Sequence, residues 1–115
     1  MIKNSCNGTV TSGHYLISPN YPQPYDDDLD CRWAITAPAG NIVALTFLDF
    51  YTYSDDTLHI YQGTNIHGPL LRTISVYDYL PLFSTEAAIN LKFSTDSSTT
   101  RRGFKIKVEA LGMFI

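Results

Sequence analysis

Apolar and polar residues alternate with a period of two in five separate stretches of the chain. In "CRWAITAP", Trp33 and Ile35 fall on one side and Arg32, Ala34 and Thr36 on the other. In "NIVALTFLDF", Val43, Leu45 and Phe47 share a side. "TLHIYQG" sets Leu58 and Ile60 against His59 and Tyr61. "AINLKFS" sets Ile89, Leu91 and Phe93 against Asn90, Lys92 and Ser94, and "GFKIKVEAL" sets Phe104, Ile106 and Val108 against Lys105, Lys107 and Glu109. Successive strand side chains point to opposite faces, so each stretch predicts a strand with one apolar face. Phe50 breaks the run of Val43, Leu45 and Phe47, which predicts a bulge or bend between Phe47 and Phe50. No stretch carries a helical period.

Turn-forming clusters separate these strands: Pro19 to Asp28, Ala37 to Gly40, Ser54 to Asp56, Gly63 to Pro69 and Thr95 to Gly103. Short alternating strands at this spacing read as an all-β, antiparallel two-sheet β-sandwich with wet outer faces. Its expected core holds Trp33, Ile35, Val43, Leu45, Phe47, Leu58, Ile60, Leu91, Phe93, Phe104 and Ile106. At 115 residues the chain has room for one core, so 1–115 reads as a single domain. Its body covers about 6–110, with tails at 1–5 and 111–115. The apolar tail "LGMFI" reads as the end of the last strand or a stub of a following module.

A content of 44% hydrophobic and 17% charged residues is that of a globular domain and argues against disorder. The net charge of −3 argues against nucleic acid, which wants a basic face; the only adjacent basic pair is Arg101-Arg102. No apolar run reaches the length of a membrane span, so direct membrane insertion is not expected. The start "MIKN" lacks the features of a signal peptide, and the chain reads as an excised domain with an added Met. Cys6 and Cys31 are the only cysteines. They stand at two strand starts, and a disulfide between them is preferred to two free thiols. Asn7-Gly8-Thr9 beside Cys6 is an N-glycosylation sequon, which points to an extracellular setting.

The segment "ISPNYPQPYDDDLDCRW" is too rich in proline for a helix and too acidic for a buried strand. Asp26, Asp28 and Asp30 begin like an EF-hand loop, but Cys31 stands at its glycine position and Ala37 at its terminal Glu position. The run therefore reads as a solvated acidic loop, with Tyr21, Pro22, Pro24 and Tyr25 packed at the turn. No Gly-x-Ser-x-Gly elbow or His-Glu-x-x-His motif is present, so the chain does not read as an enzyme. His14, His59 and His67 lack ligand spacing and read as surface histidines. Tyr51, Tyr53, Tyr61, Tyr77 and Tyr79 are candidates for an aromatic recognition surface, with core packing preferred for Tyr61 and considered for Tyr79.

In order, "SPNYPQPY", "CRWAITAPAG", "VALTFLDF", "DTLHIYQG", "LKFSTDSS" and "GFKIKV" resemble a CUB domain from Cys6 to about Val108. The resemblance implies a jelly-roll-like pair of antiparallel sheets. It also implies a non-catalytic extracellular interaction module within a secreted or cell-surface protein. Cys6 and Cys31 match the family's first disulfide. The second disulfide is missing, and the segment from Phe50 to Asp56 is shorter than in the family.

Many CUB domains bind calcium at one end through a Tyr, a Glu and two Asp. Tyr25, Asp56 and Asp96 match the Tyr and the two Asp, with Ser98 beside Asp96. The family's Glu position is Tyr53, and Asp55 is a candidate supplement. Losing one carboxylate of three implies a weak site. Asp56 and Asp96 also suit turns, where aspartate accepts backbone N–H bonds, and that reading is weighed above calcium. In calcium-binding members the loop end receives a basic side chain, so the implied partner is an extracellular protein presenting Lys or Arg. Tyr51, Tyr53 and Asp26 are the candidate partner-binding residues. Two alternatives stand beside this: a carbohydrate-binding jelly roll of adhesin type, and an exosite domain of an extracellular protease.

Overall fold

The computed structural model describes residues 6–77 and 79–112. The described residues form nine strands: β1 (Gly8–Thr11), β2 (Tyr15–Ile17), β3 (Asp30–Thr36), β4 (Asn41–Tyr51), β5 (Thr57–Gln62), β6 (Leu70–Ile74), β7 (Leu82–Phe83), β8 (Ala88–Ser94) and β9 (Gly103–Gly112). A five-stranded sheet runs β1-β3-β8-β5-β6 and a four-stranded sheet β2-β9-β4-β7. All neighbours pair antiparallel except β1 and β3, which run parallel. The fold is the expected sandwich. Of the expected tails, 1–5 and 111–115, residues 1–5 and 113–115 lie outside the described residues, whereas Leu111 and Gly112 end β9.

The five alternating stretches are β3, β4, β5, β8 and β9, and their apolar faces meet between the sheets. Every expected core residue is buried, and so are Leu16, Leu29, Tyr25, Phe50, Ile74, Ile89 and Leu82. The β4–β9 register shifts between Phe47 and Asp49, at the expected bulge. The extra residue resets the alternation, so Phe50 turns inward and stacks on Phe104 at 5.6 Å.

Cys6 and Cys31 form a disulfide, with Cα atoms 4.9 Å apart, that ties the start of β1 to β3. Next to it, exposed Asn7 accepts the Arg32 backbone N–H through Oδ1 at 2.9 Å. Its Nδ2 makes no hydrogen bond with the described residues.

The expectations for His59, Tyr61 and Tyr79 need correcting. His59 is half-buried, and its Nδ1 is buried without a hydrogen-bond partner among the described residues. It packs face to face with Tyr61 on the outer side of β5, and burial, with Lys92 nearby, holds its pKa below the ordinary histidine value. Tyr61 is half-buried on that outer face and is not a core residue, because its register position alternates with Ile60. Tyr79 is 53% exposed and is not a core residue either.

Candidate functional site

Three loops meet at one end of the sandwich: 18–29 between β2 and β3, 52–56 between β4 and β5, and 95–102 between β8 and β9. Backbone bonds knit them together. Tyr25 N–H donates to the Arg101 carbonyl at 3.1 Å, Asp28 N–H to that of Asp96 at 2.9 Å, and Thr95 N–H to that of Leu29 at 3.1 Å. Ser18 is buried beneath them, and its Oγ accepts the Phe104 N–H at 2.9 Å. That approach requires glycine at position 103, where φ is +89° and a Cβ would strike Ser18 Oγ. The "SPNYP" and "GF" motifs therefore belong to one contact.

The Tyr25 ring is 1% exposed and meets Phe93 edge-on at 5.0 Å. Its hydroxyl donates to Asp56 Oδ2 at 2.5 Å and accepts the Tyr53 N–H at 3.0 Å. Asp56 Oδ1 accepts the Asp96 N–H at 3.0 Å. Tyr25, Asp56 and Asp96 thus meet in one hydrogen-bonded knot. Burial pushes the Tyr25 hydroxyl well above the ordinary tyrosine range, so it stays a donor. Burial also raises the Asp56 pKa, against the opposing pull of the Tyr25 hydroxyl and the Asp96 N–H. Asp96 caps its own turn: Oδ1 accepts the Ser98 N–H at 3.0 Å and hydroxyl at 3.1 Å.

The raised Asp56 pKa has a measurable consequence. The folded state prefers the protonated acid, so this group's stabilising contribution is complete below the unfolded aspartate value, about 3.9. It is lost as pH rises through the folded pKa. Relative to the parent, Asp56→Asn should therefore gain stability between acid and neutral pH. Urea unfolding across that range checks this. A difference that shrinks with rising pH would mean that hydrogen bonding, rather than burial, dominates.

The remaining expected residues sit at the surface. Asp55 is exposed, and its side chain bonds no described residue. Asp26 is exposed and accepts Asn20 Nδ2 at 3.3 Å. Tyr51 and Tyr53 are half-buried under the protein's own arginines. The Arg101 guanidinium lies 5.5 Å from the Tyr51 ring centre and 5.2 Å from that of Tyr53. Its Nε donates to the Tyr51 hydroxyl at 3.0 Å. Tyr77 stacks on Tyr51 at 4.9 Å. Arg102 lies 4.9 Å from the Tyr51 ring centre and makes a two-pronged bond to Asp49, at 2.7 and 2.8 Å. Asp49 also accepts the Tyr21 hydroxyl at 2.6 Å, and the Arg102 bond holds its carboxyl below the usual carboxylate value.

Sequence reasoning missed Asp49, Arg102 and Arg101. The adjacent basic pair was the only signal, and it does not tell which arginine meets a carboxylate.

Calcium wants six to eight oxygen ligands. Here both Asp56 oxygens already accept hydrogen bonds, and Asp96 Oδ1 is engaged by Ser98. A guanidinium, not a third carboxylate, accompanies position 53. The residues present do not fit a calcium ion well. Among the described residues, no group of three or more His, Cys, Asp or Glu is arranged to hold a metal.

Comparison with known proteins agrees with this architecture. The chain is 34% identical over 110 residues to cubilin of Rattus norvegicus, covering 88% of this chain and 3% of that protein. It is 35% identical over 115 residues to the human tumor necrosis factor-inducible gene 6 protein, covering 92% of this chain and 41% of that protein. It therefore spans less than half the length of either relative. The full extracellular region of zebrafish Gpr126/Adgrg6 superposes with a TM-score of 0.83 at 30% identity, over 96% of this chain and 15% of that one. The MASP-1 CUB2 domain bound to Ca2+ superposes with a TM-score of 0.75 at 24% identity, over 91% of this chain and 98% of that one, a likeness of fold. The profile of the CUB domain family matches residues 6–108, and the chain belongs to that family.

Proposed function

We propose that this chain is a non-catalytic extracellular recognition module of a larger secreted or cell-surface protein. In this reading it binds a protein partner through the loop end built on Tyr25, Asp56 and Asp96. One observation carries it. The buried knot fixes three loops together beneath a surface of tyrosines and arginines, with Tyr77 57% and Tyr79 53% exposed. Rigid Tyr and Arg side chains lose little freedom on binding and are enriched at interface centres. The disulfide suits an oxidising compartment, and exposed Asn7 is the proposed glycan site.

The test is a parallel screen of the domain against extracellular ectodomains and a glycan array. Capture by an ectodomain, lost in Tyr53→Ala and Tyr77→Ala variants that melt like the parent, is the expected result. Binding to glycans alone would favour the adhesin-type reading instead.

Any calcium binding is proposed to be weak, at the millimolar end seen for extracellular modules or beyond. Calorimetry on the parent should show no saturation below that range. Tyr53→Glu alone should pair with Arg101, so recovery of tighter binding should need Tyr53→Glu combined with Arg101→Ala. Tight binding by the parent would overturn this account of the ligand set.

A further inference from the structure

We propose that Arg101 is a preformed receptor for an acidic side chain, so that this loop end takes an Asp or Glu from its protein partner rather than a Lys or Arg. The inference rests on the recognition reading above and specifies its chemistry. A guanidinium carries five N–H donors. Arg101 uses Nε on the Tyr51 hydroxyl and one Nη1 donor on the Thr100 carbonyl at 2.9 Å. Three donors remain without an acceptor among the described residues. No described carboxylate pairs with it, whereas Arg102 next door is taken by Asp49. The two adjacent arginines thus have different states: one is neutralised inside the protein and one is not.

The group is also held ready. Its cation faces both Tyr51 and Tyr53, and the bond to Tyr51 fixes its direction. A guanidinium fixed in this way loses little freedom when a carboxylate accepts its remaining fork. It borders a surface depression of about 210 Å³ lined by Tyr51, Thr52, Tyr53, Ser54, Val76 and Arg101. That room suits one side chain with its methylenes against the tyrosine rings. One guanidinium at this depression, in a chain of net charge −3, matches one carboxylate better than a phosphate dianion or a polyanionic chain.

The test is a titration of the isotope-labelled domain with a capped Gly-Glu-Gly-Glu-Gly peptide and with its Gln counterpart, followed by NMR. The Arg101 Nε–H and Tyr53 N–H signals should shift saturably with the Glu peptide and not with the Gln peptide. Arg101→Gln should weaken that binding about tenfold, and Arg101→Lys less, because it keeps the charge but not the fork. Unchanged melting curves would show that both variants fold. Equal shifts at Lys105, Lys107 and Arg32, or binding unaffected in Arg101→Gln, would overturn the proposal. So would saturable binding of a sialylated sugar without binding of the Glu peptide. Ectodomain capture that survives Arg101→Gln but is lost in Tyr77→Ala would keep the recognition reading and overturn only the acid receptor.

Discussion

Replacing Phe93 with Ala should lower the unfolding free energy by about 3–5 kcal/mol, as large-to-small changes in a closed core do. Phe93 is fully buried in β8, opposite Cys31 on one side and Leu58 on the other. Its ring meets Tyr25 at 5.0 Å and Phe104 at 5.1 Å, both edge-on. Removing it opens a cavity and also withdraws the wall that seats Tyr25 under Asp56. The loss should therefore couple to the loop end. A double-mutant cycle with Tyr25→Phe should show non-additivity, because Phe93 seats the ring that carries the hydroxyl to Asp56. Denaturant unfolding measures both effects. A loss below about 1 kcal/mol would mean that β8 does not present this face to the core.

Breaking the Cys6–Cys31 bridge should cost about 3 kcal/mol, given a sequence separation of 25 residues. The damage should be uneven. β1 is an edge strand held by four register positions on β3, and it has no neighbour on its other side among the described residues. The bridge anchors the chain two residues before β1, so reduction should free β1 before the core opens. In a Cys6→Ala/Cys31→Ala variant, amides of Thr9 and Val10 should exchange much faster, while those of Leu91 and Phe93 should speed up only by the global loss of stability. Mass spectrometry of the non-reduced protein should find no alkylatable thiol. Two such thiols in the folded protein would remove the basis of this prediction.

The family's calcium-binding members implied an acidic end that accepts a base. Here Asp56 is buried and spoken for, and a half-buried arginine set on two tyrosines joins exposed Asp26 and Asp55 at this end. Tyr53 stands where the resemblance implies a Glu, and its ring faces the Arg101 cation.

Strands β3, β4, β5, β8 and β9 were legible from residue order, because alternation is a local consequence of one buried face. The bulge before Phe50 was legible for the same reason, as a break in that count. β2, β6 and β7 were not: with three, five and two residues they are too short to display a period. Nothing in residue order marks β1 as the parallel partner of β3, since that choice is made by the chain's path between them. Residue order also marked Tyr25, Asp56 and Asp96 through the motifs that contain them. Only the meeting of three loops decided that Tyr25 is core, that Asp56 loses its water to two hydrogen bonds, and that Arg102 finds Asp49 across 53 residues while Arg101 does not. Alternation sets which face of a strand is apolar. The partners of a buried carboxylate or an adjacent pair of arginines are set by distances that exist only after the loops close.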